Sequence, residues 1–109
     1  MIVRAWRGYA STAAPDAYPK HLLESVRPNL ERLSGFQGLT LLRCDLGAEI
    51  EYLVLTLWES MDAVRAFAGE DPERAVVEPE ARAALTRFDE QVTHYDVLAG
   101  SGIQPSRSV

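Results

Sequence analysis

Cysteine is nearly missing from this chain, with Cys44 the single example in 109 residues. One thiol excludes an intramolecular disulfide and any cysteine-built zinc cluster. Its plain reading is a small buried strand residue. Basic charge is also scarce: 11 Lys and Arg stand against 16 Asp and Glu, for a net charge of −5 and a pI near 4.9. Binding to nucleic acid or to an anionic membrane needs a basic patch, so neither partner is expected. No apolar run approaches the about 20 residues a membrane span requires, and Met1 leads straight into a strand pattern instead of a secretory apolar segment. A cytoplasmic, soluble protein is the expectation. No glycine-rich phosphate loop, dinucleotide fingerprint or G-x-S-x-G elbow occurs, which leaves nucleotide binding and serine hydrolysis without support. Internal repeats and low-complexity blocks are absent too.

What is present is ordinary globular composition, 47% hydrophobic and 25% charged. A chain of this length buries roughly 60–70% of its unfolded surface, enough for one core and a modest pocket. One domain over residues 1–98 and a flexible tail over 99–109 are expected, the tail on its composition. Ile2 to Gly8 alternates as a strand, with Ile2, Arg4 and Trp6 on one side and Val3, Ala5 and Arg7 on the other. Asp16 is placed to cap a helix with Pro19 in its first turn. Leu22, Val26, Leu30 and Leu33 form its apolar stripe, and Pro28 inside that stripe predicts a kink near Val26–Arg27 or two short helices, ending at Ser34–Gly35. Phe36 to Asp45 and Glu49 to Trp58 read as a hairpin. Ser60 caps a helix marked at its end by Gly69. Asp71 before Pro72 reads as a further helix start, and Gln91 to Leu98 as the fourth strand.

The order βαββαβ predicts an α+β, ferredoxin-like fold: a four-stranded antiparallel sheet with helices on one face. The third strand is apolar on both parities, with Tyr52, Val54, Thr56 and Trp58 on one face and Leu53, Leu55 and Leu57 on the other. Helices cover only one face. Leaving about four to six large side chains exposed forgoes roughly 1.5–3 kcal/mol each, a term comparable to the stability of a whole domain. A homodimer pairing sheet against sheet removes that penalty.

In VRAWRG (3–8), RPNLERLSGFQG (27–38), LVLTLWESMDAVRAFAGEDPERAVVEPEAR (53–82) and VTHYDVL (92–98), the chain resembles the antibiotic biosynthesis monooxygenase superfamily. The resemblance covers nearly the whole folded length and implies a dimeric α/β barrel of ferredoxin-like subunits. That superfamily spans cofactor-free oxygenases of aromatic polyketides, haem-degrading enzymes, isomerases and cyclases, so fold does not settle chemistry. Its haem-degrading branch carries a tryptophan late in the second helix, a histidine about ten residues later and a first-strand asparagine. Here Phe67 stands near the tryptophan position, Val76–Val77 stand where the histidine would fall, and the first strand has no asparagine, so the resemblance disfavours haem. It implies instead a cofactor-independent monooxygenase that oxidises a phenolic or polycyclic aromatic small molecule with O₂. A non-redox binder, cyclase or isomerase of the same fold is the alternative, separable by anaerobic activity.

Within that frame His94 is the candidate general base, sharing a face with Asp96 beside the first strand. A histidine hydrogen-bonded in the core or at an interface is the competing reading. Arg4 is the candidate partner of a substrate anion, since an inward guanidinium is costly unless paired. Trp6 and Trp58 offer flat walls to an aromatic ligand, with ordinary core packing as the alternative. Tyr52, Phe67 and Val77 complete the expected substrate-binding set, with Tyr18 as a further lining candidate. The carboxylates of residues 70–80 read as a solvated helix start, and Val76–Val77 before Pro79 as a lid over an apolar mouth. His21 is placed on the polar side of a distant helix. His94 and Asp96 alone are too few ligands, so no metal and no cofactor are expected.

Overall fold

The protein's structure, a computed structural model describing residues 1–102, is built on three ten-residue strands. β1 (Ile2–Ser11) and β3 (Glu49–Trp58) pair antiparallel without interruption, from Ile2 opposite Trp58 to Ser11 opposite Glu49. β1 thus runs three residues past the expected Gly8. β2 (Phe36–Asp45) joins β3 through a tight connection in which the Asp45 side chain accepts the Gly47 N–H at 2.9 Å and Gly47 adopts φ +93°.

The expected fourth strand over Gln91–Leu98 is present but shorter, as Thr93–Asp96, and a two-residue strand that was not expected precedes it. β4 (Arg87–Phe88) pairs with Gly8–Tyr9, and β5 (Thr93–Asp96) pairs with Ile2–Ala5. Both lie on the same edge of β1, so the sheet order is β2-β3-β1 followed by a two-piece edge. With its helices on one side, this is the α+β, ferredoxin-like arrangement that the pattern predicts. The tail expected from residue 99 lies, over 103–109, outside the described residues.

Where a kink near Val26–Arg27 or two short helices are expected, the first helical segment runs on through an irregular turn. It comprises α1 (Ala17–His21), a π-helical turn (Leu22–Val26) and α2 (Arg27–Leu30). Pro28 has no N–H and crowds the carbonyl four residues back. The helix accommodates it by winding wider before it, and the Arg27 N–H reaches the Leu22 carbonyl, five residues back. Helical structure ends at Leu30, short of the expected Ser34. Asp16 stands at the N-cap position, but its side chain makes no capping bond.

α3 (Met61–Ala68) starts as its sequence dictates, with the Ser60 hydroxyl accepting the Ala63 N–H at 3.2 Å. The expected helix start at Asp71–Pro72 is not formed. Residues 71–78 instead cross the sheet edge as an irregular strap with a single bridge, Arg74 opposite Gln91, and the helix begins at the next proline, as α4 (Pro79–Ala84).

β3 shows which face is inside. Ile50, Tyr52, Val54, Thr56 and Trp58 are buried, whereas their odd-numbered neighbours are half-buried. Tyr18 and Leu22 from the first helical segment and Ala81 from α4 pack on Ile50, Tyr52 and Val54; Leu30 and Val64 pack on Trp58. The opposite face carries Leu42, Leu53, Leu55 and Leu57, each half-buried, and Tyr95, which is 54% exposed. Cys44, expected to be buried, is exposed near the end of β2.

Candidate functional site

A cavity of about 80 Å³ lies between the inner face of the sheet and the helices. Arg4 and Trp6 of β1 and Val54 and Thr56 of β3 line it from the sheet; Tyr18, His21 and Leu22 line it from the first helical segment. Phe67 of α3 and Val76, Val77 and Glu78 of the strap also line it.

Arg4 is 5% exposed and has no carboxylate partner among the described residues. Its Nη1 donates to the Pro72 carbonyl and lies 3.1 Å from His94 Nε2, and its Nη2 donates to the Arg74 carbonyl at 2.9 Å. The guanidinium carbon also stands 5.8 Å from the Phe67 ring centroid. Burial pushes the Arg4 pKa down to about 10, which leaves a cation at neutral pH. A buried cation held only by neutral groups is electrostatically uncompensated, and three N–H bonds leave two of its five donors to spare.

His94 sits opposite Arg4 across the β1–β5 pair, so the topology brings the two catalytic candidates together. It does not line the cavity. Facing a guanidinium donor, its Nε2 serves as acceptor, and burial together with the Arg4 charge lowers its pKa. The lone pair a base would use is already taken. Asp96, expected to orient the imidazole, is exposed.

Of the expected walls, Trp6, Phe67 and Val77 line the cavity and Trp58 and Tyr52 do not. Trp6 is oriented by its Nε1–H, which donates to the Asp89 carbonyl at 2.7 Å. Trp58 is fully buried, packed edge-on to Phe36 at 5.3 Å and stacked on Phe67 at 5.2 Å, with its Nε1–H bonded to Thr56 Oγ1. It backs Phe67 from the core. Tyr52, 1% exposed, donates its hydroxyl to the Pro15 carbonyl and lies 5.7 Å from the Tyr18 ring. Burial, helped by Glu78, raises the Tyr18 phenol well above its ordinary pKa.

His21, expected on the polar side of its helix, faces inward instead. Its side chain is only 8% exposed and lines the cavity, with Nδ1 3.3 Å from Glu80 Oε2. The available signal was its spacing: three residues after Tyr18 and one before Leu22, it lies along the buried flank of the stripe. His21, Glu78 and Glu80 bring possible ligand atoms within 4.8 Å of one another, although the Glu80 side chain is 75% exposed. Both carboxylates stand at the start of α4, where negative charge is favourable in its own right.

The arrangement is an apolar, aromatic-sided cavity with one buried cation, suited to a flat molecule bearing an acidic hydroxyl. Among the described residues no helix is long and apolar enough to cross a membrane. No curated protein matches the sequence. Solved structures are similar to the chain, two of them as follows. The cofactor-independent oxygenase SnoaB from Streptomyces nogalater is 18% identical over 91% of this chain and 95% of its own, with a TM-score of 0.61. The heme-degrader MhuD from Mycobacterium tuberculosis, with two hemes bound in its active site, is 24% identical over 94% of this chain and 100% of its own, with a TM-score of 0.62. At these identities both similarities speak to the fold. The family model of antibiotic biosynthesis monooxygenase matches residues 1–84, which contain all three long strands, every helix of the described residues and most of the cavity lining, and the chain therefore belongs to the antibiotic biosynthesis monooxygenase family.

Proposed function

We propose that this protein is a cofactor-independent monooxygenase that oxidises a phenolic aromatic small molecule with O₂. The observation that carries the reading is Arg4, a buried cation without a carboxylate partner at the edge of an apolar cavity. Loss of a proton from a hydroxylated ring leaves an electron-rich anion, and Arg4 supplies the charge that stabilises it. The anion passes an electron to O₂, and the resulting pair recombines at a ring carbon. For an anthrone-type substrate, the ring CH₂ becomes a carbonyl with one oxygen atom of O₂, and the other oxygen leaves as water with the two hydrogens. The substrate does the redox work; Trp6 and Phe67 orient the ring, and Val76 and Val77 exclude water.

A haem reading fits this lining less well. The strap presents Val76 and Val77 where the haem-degrading branch carries its histidine, which leaves this lining without the axial imidazole of that branch. Because Arg4 holds the strap through the Pro72 and Arg74 carbonyls, admission of a large ring requires those bonds to open.

The active form is proposed to be a homodimer that covers Leu42, Leu53, Leu55 and Leu57. The test is O₂ consumption across a panel of anthrones and naphthols. Turnover with loss of one O₂ per quinone formed supports the reading. An inert panel sinks it, and conversion that persists without O₂ marks a proton-transfer enzyme instead.

A further inference from the structure

We infer that His21 is the proton acceptor for a ligand hydroxyl in this cavity, with Glu80 as the positioning residue that fixes its ring. The inference rests on the reading of the site as one for a phenolic ligand. Among the described residues, His21 Nε2 is the buried side-chain polar atom with no hydrogen-bond partner. Leaving such an atom unsatisfied is costly, and native proteins rarely tolerate it without a reason. Since His21 lines the cavity, the missing partner is supplied by what the cavity holds. Glu80 Oε2, 3.3 Å from Nδ1, favours the tautomer with its proton on Nδ1. Nε2 then carries the free lone pair, and the imidazolium formed by protonation rests beside a carboxylate.

The other titratable groups of the site do not replace it. His94 Nε2 accepts from Arg4 and is outside the lining. Tyr18 is a phenol whose proton burial holds in place. Glu78 lines the cavity, but its carboxylate stands at the N-cap position of α4, where negative charge is favourable in its own right. His21 is therefore faced by Glu80, Glu78 and Tyr18 on its own side, with Arg4 the cation of the sheet side. In the step, the ligand O–H bond breaks, the proton and His21 Nε2 form a new N–H bond, and the electron pair stays on the ligand oxygen as an oxyanion that Arg4 stabilises.

The test uses 4-nitrophenol, a single ring whose phenolate absorbs visible light and whose phenol does not. Spectral titration of the full-chain protein with this probe is expected to show the bound phenol ionising about tenfold more readily than the free one, as a nearby cation and a matched base require. His21→Asn and His21→Gln are expected to abolish most of that shift while the neutral phenol binds within about twofold, and Glu80→Gln to retain part of it. Nitrogen NMR of the unliganded wild type provides a check that needs no variant: the Nδ1–H tautomer of His21 is expected. An unchanged shift in both His21 variants, or an Nε2–H tautomer, overturns the inference while leaving the phenolic reading intact. Failure of 4-nitrophenol to bind, together with an inert O₂ panel, overturns both. A hemin Soret shift lost in His21→Asn also overturns it, by giving Nε2 a metal ligand's role.

Discussion

Replacing Arg4 with methionine keeps an unbranched side chain and removes the cation. Two opposing terms decide the outcome. The three contacts to Pro72, Arg74 and His94 are bonds from a charged donor, worth about 1.5–3 kcal/mol each. Burying a guanidinium without a counter-ion costs several kcal/mol, and methionine is spared that cost. The terms are of similar size, so global stability is expected to change by no more than about 2 kcal/mol. The strap is different, because it loses its anchor and keeps only backbone bonds such as Ala75 N–H to the Glu90 carbonyl at 2.8 Å and Val92 N–H to the Glu73 carbonyl at 2.7 Å. Loss of one charge-assisted bond's worth from local opening corresponds to about 10- to 150-fold faster hydrogen exchange at the Ala75 and Val92 amides, with core amides of β3 unchanged. The same variant is expected to bind 4-nitrophenolate more weakly by a similar factor and to raise the His94 pKa, since the Arg4 charge is one of the causes that lower it. Unchanged strap exchange, or collapse of the whole fold, would refute this account of Arg4.

Gly35 has φ +84°, and an added Cβ would lie 2.5 Å from Ala63 Cβ, whereas Gly47 has φ +93° and open space around it. Urea denaturation is expected to show Gly47→Ala losing about 1–2 kcal/mol and Gly35→Ala losing about 1–3 kcal/mol more. For His94 the folded pKa is lowered below 6.5, chiefly by burial, so the unfolded chain binds the extra proton first. Stability is therefore expected to fall as pH drops below about 6.5 toward the folded value and to level off beneath it, measured as Tm against pH; a His94→Gln variant loses that segment of the profile. Leu55→Lys places a charge at the centre of the outer sheet face. Sedimentation is expected to report a monomer with cavity ligand binding retained, and an unaltered mass would remove the case for that face as the dimer contact.

Much of the fold was legible because it is written in local alternation. The inner set Tyr52, Val54, Thr56 and Trp58 and the shared face of Arg4 and Trp6 follow from strand parity alone. The misreadings share one physical cause, contacts between residues far apart in sequence. Pro72 and Pro79 offer nearly the same helix-start signal, and only the second is used. The Arg4 guanidinium takes the Pro72 and Arg74 carbonyls from 68 and 70 residues away and holds that stretch as a strap. Trp58 and Phe67 look alike as aromatic walls, yet their stacking places one in front and the other behind. His21 was hidden because the edge of an amphipathic stripe is ambiguous until something packs against it, and what packs is α4, some 60 residues later. The short extra strand at Arg87–Phe88 had no local signal at all.

The π turn gives the cavity a dependence on length. It is a surplus of one residue carried inside a helix, and each residue of an α-helix advances the direction of its side chains by about 100°. Without that surplus, Tyr18 and His21 would keep their identities and their neighbours in sequence while turning out of phase with Leu30, which anchors the far end of the segment in the core. A deletion of one residue between Leu22 and Val26 thus removes no cavity side chain that a point substitution at Leu23, Glu24 or Ser25 would spare, yet it misaligns both walls together.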